Sequence, residues 1–450
     1  MNKVKAVELF AGAGGLGMGV SRSGFETVAV IEWDRYCCDT LRENQIRGME
    51  PVRAWPLIEG DVRAFDFRSF EDRIDLVSGG PPCQPFSLGG KHRGHGDHRD
   101  MFPEAVRAVR EIRPRAFLFE NVKGLTRVGF ASYFEYIRLQ LTYPEITRRS
   151  DENWPDHLAR LERRHTHGGS LDLQYRLVNR VLNAADYGVP QRRERVFLVG
   201  FRSDLDIEWA FPEPTHSQDA LIWEQIQSGD YWARHGIPNP ERKLPKPMHP
   251  RAEKLKAKPV LAPWRTLRDA LFDLPDPQWN PLAATRYPNH RFQGGARSYP
   301  GHTGSPLDEP AKTLKAGVHG VPGGENMLLR PDGSVRYLTV RESARLQMFP
   351  DDFVFHGSWT EAMRQLGNAV PVGLAELLAT HVRRHIESFQ LERHGDHDRN
   401  KREYCVSCNA LTRASPGAAA PISSSGKLRP CSIIAVTAGP AATKSRWLAV

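Results

Sequence analysis

The first residues of the chain constrain its fold most strongly. An apolar segment at residues 4–10 is followed by the glycine-rich turn AGAGG, a predicted helix at 15–23 and a second apolar strand at 27–33. A strand, a glycine turn, a helix and a strand in this order begin a doubly wound, mostly parallel α/β sheet. Further apolar strands are predicted at 74–78, 115–120 and 196–201. We therefore predict that residues 1–202 form one sheet domain.

The remaining sequence divides into three segments. Prolines and basic clusters such as ERKLPKP mark residues 203–337, for which we predict a smaller, loop-rich second domain. Helical periodicity returns at 339–349 and 359–387, so residues 338–390 are predicted to complete the first domain. Residues 391–450 pass from a charged stretch to Ala, Ser, Pro and Gly, which predicts a disordered basic tail.

Charge and hydropathy narrow the class of protein. The net charge of +9 is compatible with a polyanionic partner but does not by itself indicate one. No apolar run approaches the ~18 residues that a membrane span requires. The segment MNKVKAVELF carries no cleavable signal pattern, so we expect a cytoplasmic protein without membrane contact.

The six cysteines do not form a disulfide framework, and we expect reduced thiols. Cys405 and Cys408 form a lone CxxC motif with His394 and His397 upstream. Structural zinc sites bring a second paired set of ligands at a defined spacing, and none follows here. We therefore predict no metal.

Three acidic or aromatic residues follow the ends of successive predicted strands near the start of the chain. The turn at Gly12 is not the GxGxxG of a dinucleotide fold, so nicotinamide is disfavoured, although a purely structural glycine turn would explain it as well. Glu32 and Trp33 end the second strand, where a carboxylate can accept ribose hydroxyls and an indole can cover an adenine. Asp61 follows the next short segment. Together these positions indicate an adenosine site better than solvated loops do.

The segment GGPPCQPFS directly follows the predicted strand at 74–78. Prolines and glycines fix an irregular loop at the carboxyl end of a strand, where open α/β sheets bind ligands. A structural cysteine would normally lie within an apolar element. Cys83 on this loop is therefore a candidate nucleophile.

Two further segments carry ionisable groups at strand ends. Glu120 closes the strand at 115–120, and partial desolvation there favours a protonated carboxyl that can act as a general acid. Arg193 and Arg195 in QRRER precede the strand at 196–201 and can hold a base oxygen or a phosphate. Taken alone, the arginines fit a solvated charge run better.

Taken in order, FAGAGG, IEWD, GDV, GGPPCQPFS, ENV, QRRER, TVRESARLQMFPD and QLGNAVP resemble the motif series of the carbon-5 cytosine-specific DNA methyltransferases, of the bacterial type II restriction–modification kind. The resemblance spans roughly residues 4–385, and its specificity lies in the series. It implies a Rossmann-like methyltransferase fold with a target-recognition domain at 203–337. It also implies methyl transfer from S-adenosylmethionine to carbon 5 of a flipped cytosine in duplex DNA, with S-adenosylhomocysteine as product.

The resemblance implies roles for individual residues. Cys83 would be the nucleophile, Glu120 would bind and protonate the cytosine ring, and Arg193 and Arg195 would support it. Cofactor contacts are expected from Phe10, Ala11, Gly12, Gly14, Gly15, Glu32, Trp33, Asp61, Val62, Pro82 and Asn368. DNA contacts are expected from Gln84, Ser87, Lys91, Arg93, Arg99, Thr313 and Leu314. The glycines and basic residues of the segment at 84–99 suit a loop that closes on DNA phosphates.

Two departures and two alternatives accompany this prediction. The small motif that the family usually carries after the active-site loop appears here only as Arg99–Phe102 (RDMF). Residues 142–176 resemble an insertion relative to the family. An RNA-directed branch of the family shares the motifs, but the long block at 203–337 favours DNA. A catalytically inactive regulatory protein is the other alternative, against which intact Cys83 and Glu120 argue. We further expect a monomer near the bacterial nucleoid. A cognate restriction endonuclease that acts on the same DNA site is its expected partner.

Overall fold

A computed structural model describes residues 3–82, 100–169, 172–239, 242, 249–316 and 326–411, with side chains up to residue 391. Its main element is a seven-stranded sheet in the order β3-β2-β1-β4-β5-β7-β6. The strands are β1 (Lys5–Leu9), β2 (Glu26–Glu32), β3 (Leu57–Glu59), β4 (Leu76–Gly79), β5 (Ala116–Val122), β6 (Tyr175–Asn183) and β7 (Glu194–Arg202). Only β7 runs antiparallel to its neighbours, β5 and β6.

This topology brings the predicted strand ends together. The paired strands β1, β2, β4 and β5 are parallel, so their carboxyl ends share one edge of the sheet. Because β7 is antiparallel to β5, its first residues lie at the same edge, and Arg195 pairs with Val122. We call this the carboxyl edge. The mostly parallel, doubly wound sheet confirms the predicted fold class.

Helices cover both faces of the sheet. Those of the first half of the chain are α1 (Gly15–Arg22), α2 (Arg35–Ile46), α3 (Phe102–Ile112), α4 (Ala131–Thr142) and α5 (Trp154–His167). One buried apolar cluster joins Val7, Leu9 and Val77 of the sheet to α3 and α4, and a second lies on the opposite face. Among the described helices none is both long and apolar enough to cross a bilayer.

The segment predicted as an insertion contains α5, which packs against α4. The Trp154 ring lies 5.7 Å from the Tyr136 ring, and the Tyr136 hydroxyl is 2.9 Å from His157 Nδ1. His157 is buried, and its Nε2 lies 2.8 Å from the carbonyl oxygen of Ile146. This polar and aromatic contact fixes the inserted helix to the body of the sheet domain.

Residues 203–339 contain short elements. The helices are α6 (Gln218–Ile222), continued by a π-helical turn at Trp223–Ser228, then α7 (Asp230–Arg234), α8 (His249–Lys254), α9 (Leu267–Leu271) and α10 (Pro281–Ala284). The strands are β8 (His216–Ser217), β9 (Ala262–Pro263), β10 (Ser305–Pro306), β11 (Met327–Leu329) and β12 (Val335–Tyr337), which form a two-stranded and a three-stranded sheet. The predicted boundaries at 202 and 337 both lie inside one compact unit, Met1–Arg393, and stay predictions.

Three helices follow, namely α11 (Val340–Leu346), α12 (Trp359–Asn368) and α13 (Val372–Leu411). The segment after α12 packs directly on α1, because a Cβ added at Gly15 would lie 2.4 Å from the Val370 carbonyl oxygen. Leu374 and Val382 of α13 join Val20 of α1 in one buried cluster. A second compact unit spans His394–Val450, and its residues 412–450 lie outside the described part.

Candidate active site

The turn between β1 and α1 forms an open backbone cradle. Phe10 adopts a left-handed conformation with φ of 54°, which a non-glycine residue accepts only when its surroundings impose it. Gly12 also has a positive φ, and a Cβ added there would meet no atom within 4 Å. The buried Ala11 donates its N–H to the carbonyl oxygen of Ile31 at 3.3 Å. The backbone is thus held from below while its outer side is free for a ligand.

Glu32 at the end of β2 is fixed by backbone donors. One oxygen accepts the Gly12 N–H at 2.7 Å, and the other accepts the N–H groups of Trp33 at 2.9 Å and Asp34 at 2.8 Å. Burial raises the pKa of Glu32, while these N–H bonds oppose the rise. The carboxylate is therefore a rigid acceptor that retains a free lone pair beside Gly12.

The residues expected to contact adenine follow the ends of β2 and β3. Trp33 is 68% exposed, which is unusual for an indole and leaves its face available for stacking. Glu32 pairs with Glu59 of β3, which places Asp61 just beyond the same edge. Asp61 accepts hydrogen bonds from Arg63, which lowers its pKa, and Val62 is buried in the core. An open cradle, a fixed carboxylate and an exposed indole on adjacent strand ends fit an adenosine cofactor.

The described part of the loop after β4 ends at Pro82, and the loop is anchored to β5 just before that residue. Asn121 donates its side-chain amide to the Pro81 carbonyl at 2.9 Å, and the Pro82 carbonyl accepts the Met101 N–H at 3.0 Å. Pro82 itself is exposed. The predicted nucleophile Cys83 and the predicted DNA contacts on the loop lie outside the described residues, namely Gln84, Ser87, Lys91, Arg93 and Arg99.

Glu120 lies at the same edge and is buried. A Cβ added at Gly80 would be 3.5 Å from Glu120 Oε2, so the carboxyl faces the residues that lead to Cys83. Arg195 Nε lies 2.8 Å from Glu120 Oε1, yet the contact is an ion pair without the alignment of a hydrogen bond. Burial raises the pKa of Glu120, and Arg195 and then Arg193 lower it. The carboxyl therefore keeps its proton to higher pH than an exposed glutamate does.

Arg193 is buried and binds backbone carbonyls. Its guanidinium donates to Gly367 and Ala369 at 2.8 Å each and to Leu314 at 3.2 Å. Burial lowers its pKa well below the usual value. Arg193 thus joins the first residues of β7 to the end of α12 and to the segment before residue 317.

The remaining predicted contacts occupy different environments. Thr313 donates its hydroxyl to the Arg192 carbonyl at 2.6 Å, and the Leu314 side chain is buried in a core cluster. Asn368, the last residue of α12, is exposed. Leu314 therefore contributes packing in this conformation, whereas Asn368 presents its amide to solvent beside the buried Gly367.

Two features of the site were not singled out from the sequence. Tyr133 of α4 donates its hydroxyl to Asp100, which also accepts the Phe102 N–H at 3.2 Å. Asp100 therefore fixes the point where the chain returns from the active-site loop, and its place in the RDMF segment was the available signal. Burial raises the pKa of Glu8 in β1 to about 8, and Ser78 donates to it. A lone acid within an apolar strand was the signal there.

The fold and the edge site define a Rossmann-like methyltransferase. The model of the C-5 cytosine-specific DNA methylase family matches residues 4–142 and 170–384, and it leaves out most of the segment that resembled an insertion. A Type II methyltransferase of Escherichia coli, M.Eco47II, is 34% identical over 382 residues, covering 83% of this chain and 77% of the relative. A Type II methyltransferase of Neisseria gonorrhoeae, M.NgoMIV, is 32% identical over 380 residues, covering 84% and 96%.

A solved structure described as a DNA modification methyltransferase encoded within a prophage (E. coli) superposes with a TM-score of 0.50 at 21% identity. The superposition covers 85% of this chain and 99% of that chain, and this similarity supports the fold. The chain belongs to the C-5 cytosine-specific DNA methylase family. It is a DNA cytosine-5-methyltransferase of the restriction–modification type, and methyl transfer in this family implies S-adenosylmethionine as donor.

Proposed function

We propose that this methyltransferase attacks a cytosine turned out of duplex DNA with Cys83 and holds the ring with Glu120. The observation that carries the proposal is the buried Glu120 carboxyl, which faces Gly80 three positions before Cys83. The Asn121–Pro81 hydrogen bond supports it, because it ties the strand that carries Glu120 to the loop that carries Cys83.

The chemistry requires two groups on one base. Carbon 5 of cytosine is a weak nucleophile, so the Cys83 thiolate adds to carbon 6 and its electron pair forms the new S–C bond. The ring π electrons shift toward carbon 5, and ring nitrogen 3 accepts a proton or a hydrogen bond from Glu120. After methylation, a base removes the carbon-5 proton, and the electrons of that C–H bond expel the Cys83 thiolate. Flanking the base in this way requires it to leave the stack.

Glu120 suits this role because burial favours its neutral form. Arg195 lies against it and keeps the carboxyl from being locked in that form. Arg193 lies directly before β7, and its three carbonyl contacts hold the start of the strand that carries Arg195.

The residues around Gly12 fit S-adenosylmethionine, which supplies an electrophilic methyl group when bound. Glu32 would accept the ribose hydroxyls, and Trp33, Asp61 and Val62 would surround the adenine. The methionine end would be held at the turn after β1, with contacts from Phe10, Ala11, Gly12, Gly14, Gly15, Pro82 and Asn368.

The proposed DNA complex uses a specific duplex sequence. Lys91, Arg93 and Arg99 neutralise phosphates, and Gln84 and Ser87 support the flipped site. Residues 203–337 read the sequence, with Thr313 and Leu314 ordering that segment. The enzyme acts as a monomer without a metal and protects DNA against a cognate restriction endonuclease.

The test measures transfer of a tritiated methyl group from S-adenosylmethionine to unmethylated duplex DNA and to transfer RNA. Wild type is compared with Cys83→Ser, and digestion to nucleosides identifies the labelled base. We expect 5-methylcytosine in DNA, absent with the variant. Label only in transfer RNA would replace the DNA proposal, and no label in either would indicate a regulatory homologue. An active Cys83→Ser enzyme would overturn the assigned nucleophile.

A further inference from the structure

The helix α5 packs on the part of α4 that carries two tyrosines. It lies within residues 143–169, which the model of the methylase family does not match. The rings of Trp154 and Tyr133 are 6.2 Å apart and nearly perpendicular, which is a favourable edge-to-face geometry. Leu158 and Leu161 of α5 belong to the same buried cluster as Tyr133. A helix outside the matched family sequence therefore forms part of the packing around Tyr133.

Hydrogen bonds hold α5 in one position. The Ile146 carbonyl can only accept, so His157 donates its Nε2–H to it at 2.8 Å. Burial lowers the pKa of His157, and in the neutral ring Nδ1 accepts from the Tyr136 hydroxyl at 2.9 Å. Three residues further along α5, Arg160 pairs with Glu152 at 2.8 Å. The helix is thus fixed to the segment before it as well as to α4.

Tyr133 connects this packing to Asp100. The Tyr133 side chain is buried, and its hydroxyl donates to Asp100 Oδ2. The other carboxylate oxygen accepts the N–H of Phe102, the first residue of α3, at 3.2 Å. A negative charge is favoured at this end of a helix. The position of Asp100 is therefore set from two sides, by the first turn of α3 and by α4.

The residue after Asp100 holds the loop that carries the predicted nucleophile. Met101 donates its N–H to the Pro82 carbonyl at 3.0 Å, and Cys83 directly follows Pro82 in the sequence. The Met101 carbonyl accepts two N–H groups from the first turn of α3 at 3.2 Å each, so Met101 belongs to the fixed start of that helix. A continuous series of contacts therefore leads from α5 to the residue that precedes Cys83.

We propose that α5 positions the Cys83 thiolate for its attack on cytosine, and that Trp154, Tyr133 and Asp100 are positioning residues of the reaction. None of the three has to touch cofactor or DNA for this role. A small displacement of the nucleophile is enough, because a misplacement of about 1 Å can slow a reaction by about 10²-fold. The inference rests on the proposed function, in which Cys83 is the nucleophile.

The test measures how fast Cys83 bonds to a cytosine that cannot release it. The thiolate adds to carbon 6 of 5-fluorocytosine and carbon 5 takes the methyl group, but the fluorine cannot leave as a proton, so the S–C bond persists. The substrate is a long unmethylated duplex of mixed sequence synthesised with 5-fluorocytosine, which offers many possible target sites. The fraction of protein that stays bound to this DNA under denaturing conditions is followed in single turnover at saturating S-adenosylmethionine.

Tyr133→Phe removes only the hydroxyl that reaches Asp100. We expect adduct formation to be about 10–100-fold slower than in wild type, while the Kd for S-adenosylmethionine stays unchanged. Asp100→Asn should give a loss of similar size. The double variant should be close to the slower single variant, since both substitutions remove the same contact. Trp154→Leu leaves that contact in place but removes an aromatic neighbour of Tyr133, so it should slow the adduct about 2–10-fold.

Tyr143→Phe is the matched control. Tyr143 directly follows α4, and its hydroxyl lies 2.9 Å from Nδ1 of His165 in α5. The variant therefore removes a tyrosine–histidine hydrogen bond to α5 without changing the contact with Asp100, and it should react at the wild-type rate. Unchanged binding of S-adenosylmethionine shows that each variant is folded.

Wild-type rates of adduct formation in Tyr133→Phe and Asp100→Asn would overturn the inference. Losses that multiply in the double variant would also overturn it, because the two residues would then act independently. No adduct in wild type would instead overturn the assigned nucleophile, and this inference with it.

Discussion

Glu32 and Glu120 both end a strand of one sheet and are both buried, yet they are held in opposite ways. Glu32 accepts three backbone N–H bonds, whereas Glu120 faces the side chains of Arg195 and, behind it, Arg193. Backbone donors hold a carboxyl group in one place. Side-chain cations hold it through contacts that a substrate can alter, which suits a group that exchanges a proton.

The largest effect is expected from Glu120→Gln. An amide cannot protonate ring nitrogen 3, so kcat should fall by about 10²–10⁴-fold while the Kd for S-adenosylmethionine stays unchanged. Single-turnover methyl transfer and cofactor titration measure the two quantities. Near-normal kcat in this variant would remove Glu120 from the chemistry.

Glu32→Gln should produce the complementary result. Losing the charge of an acceptor at the cofactor site costs about 1.5–3 kcal/mol, or roughly 10–150-fold in Kd for S-adenosylmethionine. Single turnover at saturating cofactor should be close to that of wild type. If instead kcat fell and Kd did not change, the division of labour between the two carboxylates would be wrong.

Arg195→Gln should move the pH dependence of the reaction. Arg195 lowers the pKa of Glu120, so its removal should raise that pKa and keep the carboxyl protonated to higher pH. The alkaline limb of the kcat/KM profile should shift to higher pH. Arg384→Ala, which changes an exposed residue of α13, should leave that limb in place. A shift toward lower pH would contradict the assigned direction.

The smallest effect is expected from Thr313→Val, which removes one hydrogen bond between the recognition region and Arg192. We expect a loss of about 0.5–1.5 kcal/mol in the free energy of unfolding, measured by urea denaturation. Thr313→Ser keeps the hydroxyl and should be close to wild type. A loss in Thr313→Ser without one in Thr313→Val would show that the methyl group, and not the hydrogen bond, matters.

The sheet and its edge could be predicted because their signals are local. Glycines and prolines mark where the strands end. Glu32 and Glu120 directly follow apolar runs. Strands β3 and β6 escaped prediction for physical reasons. The first is only three residues long, and the second is an edge strand that alternates with polar and charged residues.

The contacts of Arg193 could not be predicted, since its partners Leu314 and Gly367 lie 121 and 174 positions away in the sequence. The QRRER motif indicates only that arginines are present. Leu314 shows the same limit. A motif predicted that Leu314 contacts DNA, which stays a prediction, but the motif did not indicate that packing buries its side chain.

The packing of α1 on the segment after α12 has a consequence for biosynthesis. Val20 and Val370 belong to one buried cluster although 350 positions separate them. At a translation rate of about 5–20 residues per second, the first helix waits roughly 20–70 s for its packing partner to be made. During that interval the residues of the cofactor cradle have been synthesised, but α1 lacks the segment on which it packs. A nascent or truncated chain should therefore neither bind cofactor nor modify the DNA of the cell that makes it.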